Sequence, residues 1–189
     1  MSTAQVETTT MKTTHVNSRA LRLVAALVLV LTGGAFGVSS HAAGTDTANL
    51  PVSAEINATC TISTVPLEFG NYDPIVDNKS SPLTGTGFVS TICTIGSDVI
   101  ITLGQGAHPA GGSTDTIPLR QMASGTDHLA YFLYSESTRI PIWGNTALTG
   151  KADTGTGIAS QLTIYGEVTG GQNKPVGNYT DTVVATVTY

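Results

Sequence analysis

Two cysteines, Cys60 and Cys93, offer the most definite chemistry in this 189-residue chain. A pair of thiols can form a disulfide, bind a metal ion or supply a nucleophile. A metal site or a catalytic thiol would need further cysteines or histidines in a recognisable pattern, and none accompanies either residue. Because the chain begins with an export signal, described below, we predict a disulfide between them.

Other residue types do not assemble into a catalytic motif. His108 lies in a Gly/Pro-rich stretch, and His128 follows Asp127 with no nucleophile motif nearby. The run 104–106, Gly-Gln-Gly, lacks the third glycine and the helix of a dinucleotide-binding fingerprint. The acidic residues are dispersed. We therefore predict that the protein is not an enzyme and has no metal ion and no cofactor.

The first residues read as a targeting segment. Three basic residues precede an apolar run over 23–31, and the small-x-small sequence Ser40-His41-Ala42 follows. This pattern predicts a signal peptide over residues 1–42, cleaved after Ala42 or Ala43, with translation starting at Met1 or Met11. The apolar run is too short and too rich in glycine for a transmembrane helix. We expect export to the periplasm and then to the cell surface.

Charge excludes one class of partner. Of the 8 basic residues, 5 remain after the predicted leader is removed, together with 12 of the 13 acidic ones. Five scattered cations cannot form a basic patch, so binding to nucleic acid is not expected.

Short runs of alternating apolar and polar residues, rich in Val, Ile and Thr, indicate an all-β chain. The run 128–136 is apolar on both faces, which predicts a central strand covered on both sides. Tyr131, Tyr134 and Trp143 could hold a sugar, but their strand placement favours the core or its rim. Strands with intervening turns and one disulfide predict an antiparallel β-sandwich.

Two stretches alternate most regularly, one near each end of the mature chain. The first has an apolar face of Leu50, Val52, Ala54 and Ile56. The second, Gly177–Tyr189, predicts one long strand with Val183, Ala185, Val187 and Tyr189 on one face. It carries one charge and no proline, so nothing protects a free edge from pairing with another strand.

The order of short motifs along the chain resembles the spore coat protein U family, which includes subunits of archaic chaperone–usher pili. The resemblance covers the mature chain and rests on these motifs: CTIS from Cys60, LEFGNYDP from Leu67, STIC ending at Cys93, VIITLGQG from Val99, LRQM from Leu119, LAYFLY from Leu129, WGN from Trp143, IYGEV from Ile164 followed by Gln172, and GNYTDTVVATVTY from Gly177.

The resemblance implies an immunoglobulin-like sandwich, residues 59–189, that lacks its last strand. Residues 43–58 would be an N-terminal extension, and its four apolar side chains would fill the groove of another subunit as a donor strand. The terminal strand would form one wall of that groove. The implied partners are a periplasmic pilus chaperone, an outer-membrane usher and further copies of the chain or related pilins. The function implied is a structural subunit of a surface fimbria that serves adhesion and biofilm formation.

Other interpretations stay open from the sequence. The family also implies a spore coat structural protein as an alternative use. A single-domain secreted adhesin or carbohydrate-binding module is a further possibility. The two alternating stretches could also pair with each other within one chain, because termini often dock.

Overall fold

The computed structural model describes residues 42–189, which form eight β-strands and no helix. The predicted signal peptide therefore lies outside the described residues, except for Ala42. The strands are β1 (Cys60–Val65), β2 (Leu83–Cys93), β3 (Asp98–Leu103), β4 (Arg120–Ser124), β5 (Asp127–Tyr134), β6 (Lys151–Thr154), β7 (Ala159–Val168) and β8 (Ala185–Thr188).

The strands form two antiparallel sheets, which confirms the predicted fold class. One sheet has the order β1-β2-β7-β5-β4 and the other the order β6-β3-β8. The core contains side chains from both sheets, including Val89, Ile101 and Ile164, with Trp143 fully buried among them. The sandwich has two ends: the disulfide end, where β1 begins at Cys60 and β2 ends at Cys93, and the open end, where β1 ends at Val65.

Alternation along the long strands matches the two faces of the larger sheet. In β2, Val89, Thr91 and Cys93 are buried, while the intervening side chains face outward. In β5 the pattern is the same, with Phe132 and Tyr134 half-buried on the outer face. The strand is central, between β7 and β4, but the prediction that it is covered on both faces is wrong. Aromatic residues at outward positions suggested a second covering layer that the described residues do not supply.

A buried arginine ties the two sheets together. Arg120 of β4 donates 2.8 Å hydrogen bonds to the carbonyl oxygens of Leu103, Gly104 and Trp143. Leu103 ends β3 in the opposite sheet, so one side chain connects both layers. Burial lowers the pKa of Arg120 to about 10, and the guanidinium is therefore charged at neutral pH.

The C-terminal stretch is divided between the two sheets. Thr180 forms an isolated bridge with Ala123 of β4, through hydrogen bonds of 2.8 and 3.0 Å. The chain then crosses over, and β8 pairs with β3 in the other sheet. The single long strand predicted over Gly177–Tyr189 is thus only the four-residue β8 with one bridge before it. A sequence pattern of period two gives the faces of such a segment but not the point where it changes its partner.

The first strand begins at a covalent and hydrogen-bonded anchor. Cys60 and Cys93 are paired in register between β1 and β2 and joined by a disulfide. Thr59, just before Cys60, and Thr94, just after Cys93, are also paired. The Thr94 amide donates to the Thr59 carbonyl at 3.0 Å, and the Thr59 amide donates to the Thr94 hydroxyl at 3.1 Å. The preceding segment has no strand in the structure.

Replacing both cysteines with alanine should destabilise the subunit. The bond spans 33 residues, and the chain-entropy model gives roughly 3.7 kcal/mol for a loop of that length. Thermal unfolding of the double variant and of the unchanged subunit, each measured with and without reductant, checks this. An unchanged melting temperature in the double variant would show that the disulfide is dispensable.

Candidate functional site

A groove of about 1040 Å³ opens along one side of the sandwich. One wall is the chain from Thr64 to Tyr72, at the end of β1 and beyond it, and the other is the segment from Tyr179 to Val183 leading into β8. Within the described residues, β1 and β8 are edge strands, each hydrogen-bonded to one neighbour only. The groove therefore lies between two strand edges that have no partner on the facing side.

The floor of the groove is the hydrophobic core itself. Core side chains from three strands, β3, β5 and β7, line it: Leu103, Leu129, Tyr131, Leu133, Ile164 and Val168. Side chains that point inward from the walls are incompletely covered, because Ile62 of β1 is 36% exposed and Val183, Ala185 and Val187 are only half-buried. These half-buried side chains therefore leave apolar surface open along both walls of the groove.

Glycines shape the wall that follows β1. Gly85 of β2 and Gly166 of β7 are direct cross-strand partners, and Gly87 is two residues further along β2. A Cβ atom on Gly87 would lie 2.9 Å from the Cβ of Leu67, and one on Gly166 would lie 2.8 Å from Phe69. The missing side chains allow Leu67 and Phe69 to lie directly against the sheet. Phe69 in turn packs edge-on against Tyr131, with ring centroids 6.0 Å apart.

A buried carboxylate anchors the opposite wall. The side chain of Asp181 is 2% exposed and lines the groove. It accepts hydrogen bonds from the hydroxyl of Tyr131 at 2.6 Å and from the amide of Ala107 at 2.8 Å, and it lies 3.3 Å from Nδ1 of His108. Burial and the bond to Asp181 raise the pKa of the Tyr131 hydroxyl, so it stays a neutral donor. These bonds hold the C-terminal segment against β5.

The loops at the open end are also held by polar contacts. The carboxamide of Gln172 pairs with both the amide and the carbonyl of Ala130 in β5, at 2.8 and 2.9 Å, as a neighbouring strand residue would. The Gln172 amide donates to the hydroxyl of Tyr72 at 3.0 Å, and that hydroxyl donates to the carbonyl of Thr169 at 2.9 Å. These bonds connect the two loops that frame the end of the groove.

The predicted donor residues are not in a sheet. Leu50, Val52 and Ile56 are 84, 86 and 85% exposed, and Ala54 is exposed as well. The described part of the extension forms no ladder with β8, whose single partner is β3. The predicted acceptor residues are on the groove side of their segment, except that Tyr189 is 55% exposed.

The residues considered for catalysis do not converge. His128 lies at the start of β5 beside Asp127, and its ring is 6.2 Å from that of His108. Over residues 42–189, no group of three or more His, Cys, Asp or Glu side chains is placed to hold a metal ion. Helices that could cross a membrane are likewise not found in that range.

Several residues of the groove were not identified as such from the sequence. In the sequence, Asp181 stands out only as the single charge of the terminal stretch, and Leu67 and Phe69 only as part of the motif LEFGNYDP. Each had a signal in the sequence. A lone acid in an alternating strand needs a hydrogen-bond partner, and two apolar residues before a turn need an apolar surface to pack on. Their partners are distant along the chain, by 50 residues for Tyr131 and Asp181, and the pattern within one segment does not reveal them.

Comparisons with known proteins agree on one family. A family model described as the Spore Coat Protein U domain matches residues 46–186. The chain is 48% identical over 155 residues to Protein U of Myxococcus xanthus, an alignment that covers 78% of this chain and 87% of that protein.

Solved structures that are similar in fold include one of a pilus subunit complex. It is a chaperone–tip adhesion subunit pre-assembly complex (CsuC-CsuE) from the archaic chaperone-usher Csu pili of Acinetobacter baumannii, matched with a TM-score of 0.51 and 18% sequence identity. The match covers 71% of this chain and 40% of the chain in that structure.

Changing Tyr131 to phenylalanine should lower the free energy of unfolding by about 1.5–3 kcal/mol, because the buried Asp181 carboxylate loses a hydrogen bond. The matched control is Tyr134→Phe on the outer face of the same strand, which should change stability little. Chemical denaturation of both variants measures the difference. Equal stabilities for the two variants would contradict the role assigned to Asp181.

Changing Gly87 to alanine should destabilise the subunit by about 1–3 kcal/mol, since the new methyl group meets the backbone as well as the side chain of the wall segment. Gly111→Ala is the matched control, because no atom lies within 4 Å of a Cβ built there. Thermal unfolding compares them. If Gly87→Ala is as stable as the control, the close approach of Leu67 to the sheet is not a constraint.

Proposed function

The chain belongs to the Spore Coat Protein U domain family, and we propose that it is a structural subunit of a surface fimbria assembled by donor-strand complementation. In this process the N-terminal extension of one subunit enters the groove of the next and completes its sandwich. The observation that carries the proposal is the groove itself, which has core side chains as its floor, half-buried apolar side chains on its walls and a strand edge on either side. The same chain also has an exposed, alternating segment of the type that would fill it.

The donor assignment follows from the period of the extension. Leu50, Val52, Ala54 and Ile56 would face the core, and the residues between them would face solvent. The main-chain groups of the donor would pair with the free edge of β8, as in other cases of strand addition. Pairing antiparallel to β8 is the more stable arrangement. Since β8 runs from the open end toward the disulfide end, the donor would run toward the open end, with Ile56 near the groove mouth.

The magnitudes make this association finely balanced. Burial of the four apolar donor side chains contributes roughly 6–12 kcal/mol. The value is toward the lower end of this range, because Ala54 has little apolar surface to bury. Ordering about eight donor residues costs about 8–16 kcal/mol. The hydrogen bonds along β8 and the burial of the half-buried apolar side chains of the acceptor's groove must supply the remainder. Exposed apolar surface in an unfilled groove would destabilise the free subunit. A second protein that covers the groove before assembly would remove this cost.

The partners proposed are therefore successive occupants of one groove. A periplasmic chaperone would fill it first, as the solved structure that is similar in fold is a complex with a chaperone. An outer-membrane usher would then be the place where the extension of another subunit replaces the chaperone. Donor and acceptor surfaces differ, so the contact is head-to-tail and propagates as a fibre.

The cellular role proposed is attachment. Export would depend on the leader predicted over residues 1–42, and the fibres would serve adhesion and biofilm formation. No catalytic role is proposed, because the floor of the groove is formed by core side chains and its buried carboxylate, Asp181, is already hydrogen-bonded within the fold. A deletion strain that attaches to surfaces as well as its parent would contradict adhesion without affecting the proposal of a fibre.

Changing Val52 or Ile56 to aspartate should abolish the fibres, because a carboxylate would be buried in an apolar groove without a partner. The matched control is Ser53→Asp, which places the same charge on the opposite face of the extension. Material sheared from cells is run on a denaturing gel without boiling. The unchanged protein and the control should give a ladder of regularly spaced bands that collapses to one band on boiling, whereas the two variants should give monomer.

Two other outcomes would count against the proposal. Ladders that persist in both Val52→Asp and Ile56→Asp would show that this segment is not the donor. A single monomer band from the unchanged protein, boiled or not, would favour a sandwich that completes itself.

A further inference from the structure

Three isoleucines are exposed together at the disulfide end of the sandwich. Ile95 is 77% exposed in the turn between β2 and β3, Ile158 is 72% exposed just before β7, and Ile92 is 49% exposed on the outer face of β2. Ile95 lies against Gly157, where a Cβ atom would come within 3.0 Å of its side chain, and Ile92 is the register partner of Ala159. Ile95 therefore adjoins the segment that carries Ile158, and Ile92 is opposite the residue that follows it; we call these three exposed residues the isoleucine patch.

The isoleucine patch lies beside the root of the extension. Thr94, which precedes Ile95, holds Thr59 through two hydrogen bonds at the point where the extension joins β1. The exposed donor segment therefore leaves the molecule next to this apolar surface. If the last residues of the donor contact another subunit, the isoleucine patch is therefore brought close to that part of the other subunit.

A second apolar surface lies at the mouth of the groove. Ile75 and Val176, on the two loops at the open end, are 66 and 106% exposed, and both line the groove together with Pro175. These are the loops that Gln172 and Tyr72 hold to the body of the sandwich. We call this surface the mouth rim. The isoleucine patch and the mouth rim lie at opposite ends of one subunit.

Chain length brings the two surfaces together between subunits. Cys60 is four residues after Ile56, and four extended residues span at most about 14 Å. If Ile56 of one subunit lies in the groove near the mouth of the next, then Cys60 and the disulfide end of the first subunit must lie within that distance of the mouth rim of the second. A second copy of this chain is therefore the occupant that the connection itself delivers.

We propose that the isoleucine patch of each subunit packs on the mouth rim of the subunit that accepts its donor strand. This inference rests on the proposed function, because the donor strand supplies the constraint on distance. The contact removes exposed aliphatic side chains at the two ends of the sandwich from water. It also fixes the angle between successive subunits, which a short extended linker alone would leave variable.

Cysteine cross-linking tests the contact directly. Ile95→Cys and Val176→Cys are combined in one chain, so that each cysteine meets its counterpart only across a junction between subunits. The two positions cannot meet within one subunit, because β2 alone, with 11 residues at about 3.3 Å per residue, separates the two ends by roughly 35 Å. The controls are each single variant and the pair Leu148→Cys with Val176→Cys, since Leu148 is 98% exposed but is not in the isoleucine patch.

Sheared fibres are run without reductant, both unboiled and boiled. We expect the Ile95/Val176 pair to give a ladder that survives boiling and collapses with reductant, and the controls to give only the ladder that boiling removes. If the pair keeps its unboiled ladder but leaves only monomer after boiling, the end-to-end contact is wrong and strand exchange stands. If the unchanged protein gives no unboiled ladder at all, the proposed function fails and this inference fails with it.

Discussion

A strand edge beside a groove with apolar walls is the constraint on which this structure depends. The free edge of β8 presents main-chain donors and acceptors, and directly beside it the side chains of Leu103, Tyr131 and Val168 line an open groove. Either feature alone could be tolerated, because water satisfies polar groups and a small apolar cleft is common on protein surfaces. Together they match the two requirements of an added strand, which needs a ladder for its backbone and pockets for alternate side chains.

A sandwich with an open side must hold its walls by means other than packing across the gap. Here the means are polar and directional. Asp181 fixes the segment before β8, Gln172 takes the place of a strand residue beside β5, and Arg120 joins the sheets through three carbonyl groups. The disulfide fixes the start of β1 to the end of β2. Hydrogen bonds of this kind keep a fixed geometry when apolar neighbours are missing, so the groove can keep its shape while it is empty.

Much of this could be predicted from the sequence, and the limits have a physical cause. Alternation gave the strands and their inward faces, including Val183, Ala185 and Val187, because period two is a property of one segment alone. The motif order gave the family. The change of partner after Thr180, the glycines beneath Leu67 and the bond from Tyr131 to Asp181 depend on residues far apart in the chain. The outer face of β5 was misjudged for the same reason, since aromatic side chains there do not reveal whether a second layer exists.

The arrangement of ends explains why such a subunit would form a line and not a closed pair. In the proposed fibre, the donor would leave from the disulfide end while the groove has its mouth at the other end of the same sandwich, so two subunits could not satisfy each other through short connections. Each added subunit would leave one groove and one extension unused, at opposite ends of the assembly. The cost of ordering a donor would then be met in every junction by the same contacts: the ladder along β8, the apolar side chains in the groove and the aliphatic surfaces at the two ends. Because these contacts share one short stretch of chain between Ile56 and Cys60, a change in the length of that stretch would weaken the end-to-end packing before it weakened the strand exchange.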